Sequence, residues 1–190
     1  ATALDLYFPS SFLKVNMLPD DFSGTGGTVT AGGTGVAPDG FKGLYANNTT
    51  EDGFTGPIDR SDGKVWWQLR SNGGIPSGSN NKAQFESLPV AVTEGWYTGE
   101  ITFEIISGAE AMDRVALRLD SDSAIYNYCE QITTNSGVGA WENGKVYRMR
   151  TPSVRMENGT GWLRFLPDQD PGADSVILVT GMNFYKVEDI

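Results

Sequence analysis

The stretch "TGEITFEII", residues 98–106, alternates apolar and polar side chains. Ile101, Phe103 and Ile105 fall on one side and Glu100, Thr102 and Glu104 on the other. Successive side chains of a strand point to opposite faces, so this period of two marks a strand buried on one face only. The same rhythm recurs downstream. "RVALRLD" (114–120) sets Val115, Leu117 and Leu119 against Ala116 and Arg118. "GKVYRMR" (144–150) sets Tyr147 and Met149 against Val146, Arg148 and Arg150. "GWLRFLP" (161–167) sets Leu163 and Phe165 against Trp162, Arg164 and Leu166.

"SVILVTGMNFYKVED" (175–189) differs. It is continuously apolar up to a break at Gly181, then alternates. That pattern predicts a strand covered on both faces, with a bulge at the glycine. Further strands are predicted at Phe12–Met17, Phe41–Tyr45 and Lys82–Leu88. No segment carries a sustained helical period; "GAEAMDRVALRL" (108–119) allows a turn or two before it alternates. Turn signals separate the strands at Pro38–Gly40, Ser61–Gly63, Ser71–Gly74, Glu142–Gly144 and Glu157–Gly159. Many short strands with no helices between them predict an all-β fold, an antiparallel two-sheet β-sandwich. No interior linker is visible. The expected organisation is an N-terminal extended arm and first strand over 1–15, then one sandwich domain over 16–190. Ser23–Gly35 is rich in glycine and threonine and reads as a surface loop, with a short strand at Thr28–Thr30.

Composition limits the function. A chain of 190 residues with 39% hydrophobic and 11% aromatic residues can build a core without metal or disulfide help. The net charge of −10 argues against nucleic acid and against an anionic membrane as partners. Histidine is absent, which removes the usual base of Ser/His/Asp and Cys/His chemistry and the commonest zinc ligand. Cys129 is the only cysteine, so no internal disulfide forms, and its apolar surroundings predict an inert thiol. "ATALDLYFPSSF" (1–12) lacks the basic start and apolar centre of a signal peptide, and Ala1 fits removal of an initiator methionine or a processing boundary.

The candidate binding residues come from "DGKVWWQLRSNGG" (62–74). Trp67 shares a face with Val65 and Leu69 and belongs to the core. Trp66 shares the other face with Lys64, Gln68 and Arg70. An exposed indole beside an amide and a guanidinium suits a sugar ring, whose C–H face stacks while the polar groups bond its hydroxyls or a carboxylate. It equally suits a protein interface, or a place under a neighbouring loop. Arg118 and Arg148 join the candidates, because Arg70, Arg118, Arg148, Arg150 and Arg164 all fall on polar strand faces. If their strands adjoin, they form a basic groove; if not, they pair with nearby acids.

The acidic loops carry Asp120 and Asp122, and Asp168, Asp170 and Asp174. They allow a structural calcium ion, with solvated turns as the plain alternative, and neither matches an EF-hand. No other cofactor is expected. No carboxylate pair stands out as catalytic, so a non-catalytic protein is expected.

Two regions, taken together, resemble a known class. "NMLPDDFSGTGGTVTAGGTGVAPDGF" (16–41) resembles the opening segment of jelly-roll, carbohydrate-binding-module-like β-sandwiches of phage tail and virion proteins, with Phe41 where that class more often has tryptophan. "VILVTGMNFYKVED" (176–189) resembles their last strand, and "GWYTGEITFEI" (95–105) and "WENGKVYRM" (141–149) keep the strand order between. The resemblance implies a jelly roll but defines no binding residues. It points to a viral structural protein, a capsid decoration, head-fibre or tail receptor-binding component located in the virion, whose open face contacts host-surface polysaccharide. Its partners would be viral structural proteins or further copies of itself, engaged through an arm over Ala1–Ser11, with Phe8 and Phe12 as apolar anchors. The alternative is a secreted carbohydrate-binding module of a polysaccharide-degrading enzyme; a second is a small lyase or hydrolase.

Overall fold

The computed structural model describes residues 13–19, 22–29, 34–44, 53–71, 84–122, 128–134, 141–169 and 175–188. The alternation over 98–106 lies within a strand of 13 residues, β9 (Gly95–Ser107). Before it come β1 (Leu13–Asn16), β2 (Thr28–Val29), β3 (Thr34–Gly35) and β4 (Phe41–Leu44). Then follow β5 (Gly53–Asp59), β6 (Val65–Ser71), β7 (Gln84–Ser87) and β8 (Val90–Val92). After β9 come β10 (Met112–Ser121), β11 (Tyr128–Thr134) and β12 (Lys145–Arg150). The chain closes with β13 (Val154–Met156), β14 (Gly159–Gln169) and β15 (Ser175–Glu188).

These strands form two sheets. The front sheet runs β12-β9-β15-β6-β5-β3, with β1 also on β15 and β13 on β9. The back sheet runs β11-β10-β14-β7-β4-β2, with β8 on β14. Pairing is antiparallel apart from the short β2–β4 and β3–β5 contacts, which are parallel. The expected two-sheet sandwich is the observed architecture. A single 3₁₀ turn over Ala109–Ala111 precedes β10.

The core is the sum of the inward stripes. Ile101, Phe103 and Ile105 of β9 face Val115, Leu117 and Leu119 of β10 and Leu163 and Phe165 of β14, all without exposed surface. Phe103 touches Phe165, Tyr147 and Trp141, with ring centroids 5.1, 5.4 and 6.1 Å away. Phe41 and Phe85 stack at 5.1 Å. Each such fully buried side chain contributes about 1.5–3 kcal/mol. Trp67 is the core tryptophan, as its face predicted. Its indole N–H donates to the Phe22 carbonyl at 2.7 Å and ties the segment before β2 to the front sheet.

β15 is central, between β9 on one side and β6 and β1 on the other. That position explains its continuous apolar run. Its pairing with β9 steps from Thr180↔Thr102 to Asn183↔Glu100, three residues against two, so one residue is extra. Gly181 sits there at φ 58°, a conformation other residues adopt only at a cost. The bulge predicted at this glycine is present. Asn16 stitches it: its side-chain oxygen accepts the N–H groups of Leu18 (3.2 Å) and Phe184 (3.1 Å). Its amide donates to Asn183 Oδ1 (3.1 Å).

β5 is not among the strands predicted from the sequence: Gly56 and Pro57 lie inside it, and both are uncommon in strand interiors. Both are accommodated where the β5–β6 register shifts between Thr55 and Ile58. The bare backbone of Gly56 lies against Trp67, where an added Cβ would fall 2.6 Å from the indole. The first strand of the arm, β1, is part of the front sheet. Phe8, Phe12 and the rest of 1–12 lie outside the described residues, as does the side chain of Cys129.

Candidate functional site

The outward faces of the two sheets carry the polar stripes. On the front sheet the pairing sets Arg148, Thr102 and Thr180 in one row, and Arg150, Glu100 and Asn183 in another. A further row holds Val146, Glu104, Leu178, Gln68 and Thr55. Of the predicted site residues, Trp66, Gln68, Arg70 and Arg148 share this face. Arg118 does not; it stands on the outer face of the back sheet.

Trp66 corrects one expectation. It does point outward, next to Ile58 of β5, yet only 1% of its surface is exposed. The β5–β6 hairpin folds back over it. The Arg60 guanidinium lies over the indole at 5.0 Å from the ring centroid and pairs with Glu104 beyond it. The indole N–H donates to Asp62 Oδ2 at 3.0 Å. Trp66 therefore offers no open ring to a sugar; it anchors the turn.

That turn is tightly specified. Asp62 Oδ1 accepts the Lys64 backbone N–H (3.0 Å), Arg60 N–H reaches the Lys64 carbonyl (3.3 Å), and Gly63 N–H the Arg60 carbonyl (3.1 Å). The Lys64 N–H holds the Asp62 carboxyl below its usual range, helped by the Trp66 N–H and the Arg60 charge, against a smaller effect of desolvation. The hydrogen bond to Glu104 holds the Arg60 guanidinium above its usual range.

Between this turn and the β15 bulge lies a cavity of about 340 Å³, lined by Gly63, Lys64, Val65, Thr102, Thr180, Gly181 and Asn183, with Phe22 behind. The volume is at the small end of ligand sites. Its groups suit a polyol. Thr180 donates its hydroxyl proton to the Val65 carbonyl at 2.6 Å and keeps its lone pairs. The Asn183 amide donates to the Gly181 carbonyl at 2.8 Å. A Cβ at Gly181 would meet nothing nearer than Thr102 Oγ1 at 3.8 Å, so the space over the bulge is open. Sequence reading found the bulge but not the cavity. The lining comes from segments 40 to 120 residues apart in the chain, roughly Lys64, Thr102 and Gly181, and no local pattern joins them.

The expected basic groove is not formed. Arg148 and Arg150 both pair with Glu100, which is 3% exposed beneath them. Arg118 and Arg164 do adjoin, on the back sheet, but in a row running Lys42, Glu86, Arg164, Arg118 and Glu130. Arg164 and Lys42 (2.6 Å) pair with Glu86; Arg118 (2.8 Å) and Arg164 (3.9 Å) pair with Asp120. Burial pushes the Asp120 carboxyl up, against the pull of Arg118 and Arg164. Acids on neighbouring strands, and for Arg118 an acid two residues along its own strand, engage these arginines. Sequence reading also passed over Trp96, which is 51% exposed at the start of β9, beside Arg155 of β13.

For calcium, Asp120 is engaged in that row. Asp122 accepts the Thr160 backbone N–H at 2.8 Å, which holds its carboxyl below the usual range. The side chains of Asp168, Asp170 and Asp174 lie outside the described residues. Among the described residues, no three His, Cys, Asp or Glu side chains gather as a metal site. No helix among them is long and apolar enough to cross a membrane.

No known family matches the chain by its sequence pattern, and no curated protein matches it by sequence. Solved structures do match. A protein from Bacteroides thetaiotaomicron VPI-5482 proposed to bind sugar superposes with a TM-score of 0.55 at 10% identity, covering 90% of this chain and 100% of that one. The CBM22-1 xylan-binding domain of Paenibacillus barcinonensis Xyn10C gives 0.52 at 12% identity, covering 93% and 97%. The CBM22-1–GH10 modules of Clostridium thermocellum xylanase 10B give 0.55 at 10% identity, covering 94% of this chain but 30% of that longer one. The fold is thus a β-sandwich of the kind seen in carbohydrate-binding modules. None of these three is described as a viral component.

Proposed function

We propose that this chain is a non-catalytic carbohydrate-binding module whose glycan lies on the outer face of the front sheet. The observation that carries this reading is the polar cavity at the β15 bulge, on a sandwich similar to carbohydrate-binding modules. Hydroxyls at Thr102 and Thr180, an amide at Asn183, an ammonium at Lys64 and the peptide groups around Gly181 supply donors and acceptors for sugar hydroxyls. Gln68, Arg70 and Arg148 extend the same polar face. Binding without catalysis fits Glu100 and Glu104, the two carboxylates on the outer face of β9: each is held by arginine and so is not free to act on a glycosidic bond. The module reading draws on these residues, whereas virion assembly through Phe8 and Phe12 would draw on a segment outside the described residues.

The test is electrophoresis in gels containing soluble polysaccharides. The wild-type chain should be retarded by at least one of a panel of xylans, glucans and pectins. Thr102→Tyr, which fills the cavity, should reduce the affinity about tenfold or more at an unchanged melting temperature. Retardation by none of them, or equal retardation of Thr102→Tyr, would contradict the assignment.

A further inference from the structure

We infer that the front-sheet cavity takes an acidic saccharide, one bearing uronic-acid carboxylates, with Lys64 meeting the carboxylate. The inference rests on the glycan reading above and deepens it. Among the described residues, the cations Arg60, Lys64, Arg148 and Arg150 and the acids Asp59, Asp62, Glu100 and Glu104 stand on the strands and turn around the cavity. They are layered. Glu100 and Glu104 are nearly buried, while Arg148, paired with Glu100, and Lys64, at the cavity, are exposed. One Glu100 carboxylate lies between two guanidiniums. In a chain with a net charge of −10, the charged side chain among the described residues lining this cavity is a cation, Lys64. Distant acids matter little there, because salt at about 0.15 M screens charges beyond ~8 Å.

Lys64 is the group placed to use this. Among the described residues its ammonium makes no ion pair and no hydrogen bond; Asp62 feels it as the smallest of its influences. Its backbone is fixed by the Arg60–Asp62 turn and, through Asp62, by Trp66. An ammonium on a fixed base, with three donors and no ion pair among the described residues, suits one carboxylate. Thr102 and the lone pairs of Thr180 lie across the cavity for the ring hydroxyls. Arg70, on the same face of β6, likewise makes no ion pair among the described residues, and six residues of strand place it roughly 20 Å along. An acidic chain laid along β6 would meet one cation and then the other.

Matched polymers test this. Polygalacturonate, alginate and glucuronoxylan would each be titrated beside its carboxyl-reduced form at about 0.15 M salt, with wild type, Lys64→Ala and Lys64→Arg. At least one native polymer should bind about tenfold more tightly than its reduced form. Lys64→Ala should erase that preference and Lys64→Arg should keep most of it. Equal binding of native and reduced forms, or a preference that survives Lys64→Ala, overturns the acidic-saccharide inference and leaves the module reading intact. Binding to none of these polymers, native or reduced, nor to neutral xylans or glucans, overturns both.

Discussion

On the back sheet, Lys42, Glu86, Arg164 and Arg118 stand side by side across four strands and are tied by ion pairs to one another and to Asp120. On the front sheet, similar residue types are layered instead, with Glu100 and Glu104 beneath arginines and Lys64 left over a cavity. The residues do not explain the difference; the backbone does. β10 and β14 pair in continuous register from Arg114↔Asp168 to Ser121↔Gly161, which sets Arg118 opposite Arg164 with Asp120 in reach of both. β15 carries an extra residue at Gly181, and the β5–β6 hairpin rises beside it. That irregularity opens space that a regular ladder closes. A closed charge ladder serves stability, and an interrupted one leaves polar groups for a ligand.

The largest effect should come from breaking the closed face. Glu86→Ala leaves Arg164 and Lys42 without their shared carboxylate, and Glu86 is only 2% exposed. The cations left behind are partly exposed and Arg164 keeps Asp120, so the loss should be about 1–3 kcal/mol. Chemical denaturation should show that loss, with glycan affinity unchanged in the protein that remains folded.

On the front face, Trp66→Phe keeps a ring beneath Arg60 but removes the N–H bond to Asp62. The stability loss should be about 1 kcal/mol. Because the Asp62 turn positions Lys64, affinity should fall as well, by several-fold in calorimetry. Unchanged affinity would separate Trp66 from the site.

The two faces should also answer pH with opposite signs. Asp62 is held below its ordinary 3.8, so its stabilising contribution is present above that value and is lost as pH falls through the depressed one. Asp120 is held above 3.8 by burial, so the folded protein favours its protonated form. That contribution is present below 3.8 and is lost as pH rises through the raised value. In melting curves against pH, Asp120→Asn should gain on wild type as pH rises from about 4, and Asp62→Asn should converge with wild type at the acid end. The Asp62 effect should be the smaller, since that carboxyl is open to solvent.

The strands were legible in the sequence wherever one face was apolar: Ile101-Phe103-Ile105, Val115-Leu117-Leu119 and Leu163-Phe165 all proved to point inward. The Gly181 break announced a bulge, because an interrupted apolar run has few other meanings. The side of Trp66 was legible too, but its covering was not. Alternation reports direction, whereas burial of an outward residue depends on what folds over it, here Arg60 from the preceding turn. The cavity was illegible for the same reason: Lys64, Thr102 and Asn183 meet only through pairing of β9, β15 and β6. The arginines looked like a groove because their acid partners, Glu86 and Glu100, lie on other strands.

The most direct test of the account is to map where sugar touches the protein. Amide chemical shifts would be followed by NMR while α-1,4-linked galacturonate and xylose oligosaccharides are titrated in turn. The account predicts that the largest changes fall on Gly63, Lys64, Thr102, Gly181 and Asn183 of the front face, with Lys42, Glu86, Arg118 and Arg164 unmoved. Changes centred on the back-sheet row, or no changes with either oligosaccharide, would contradict it.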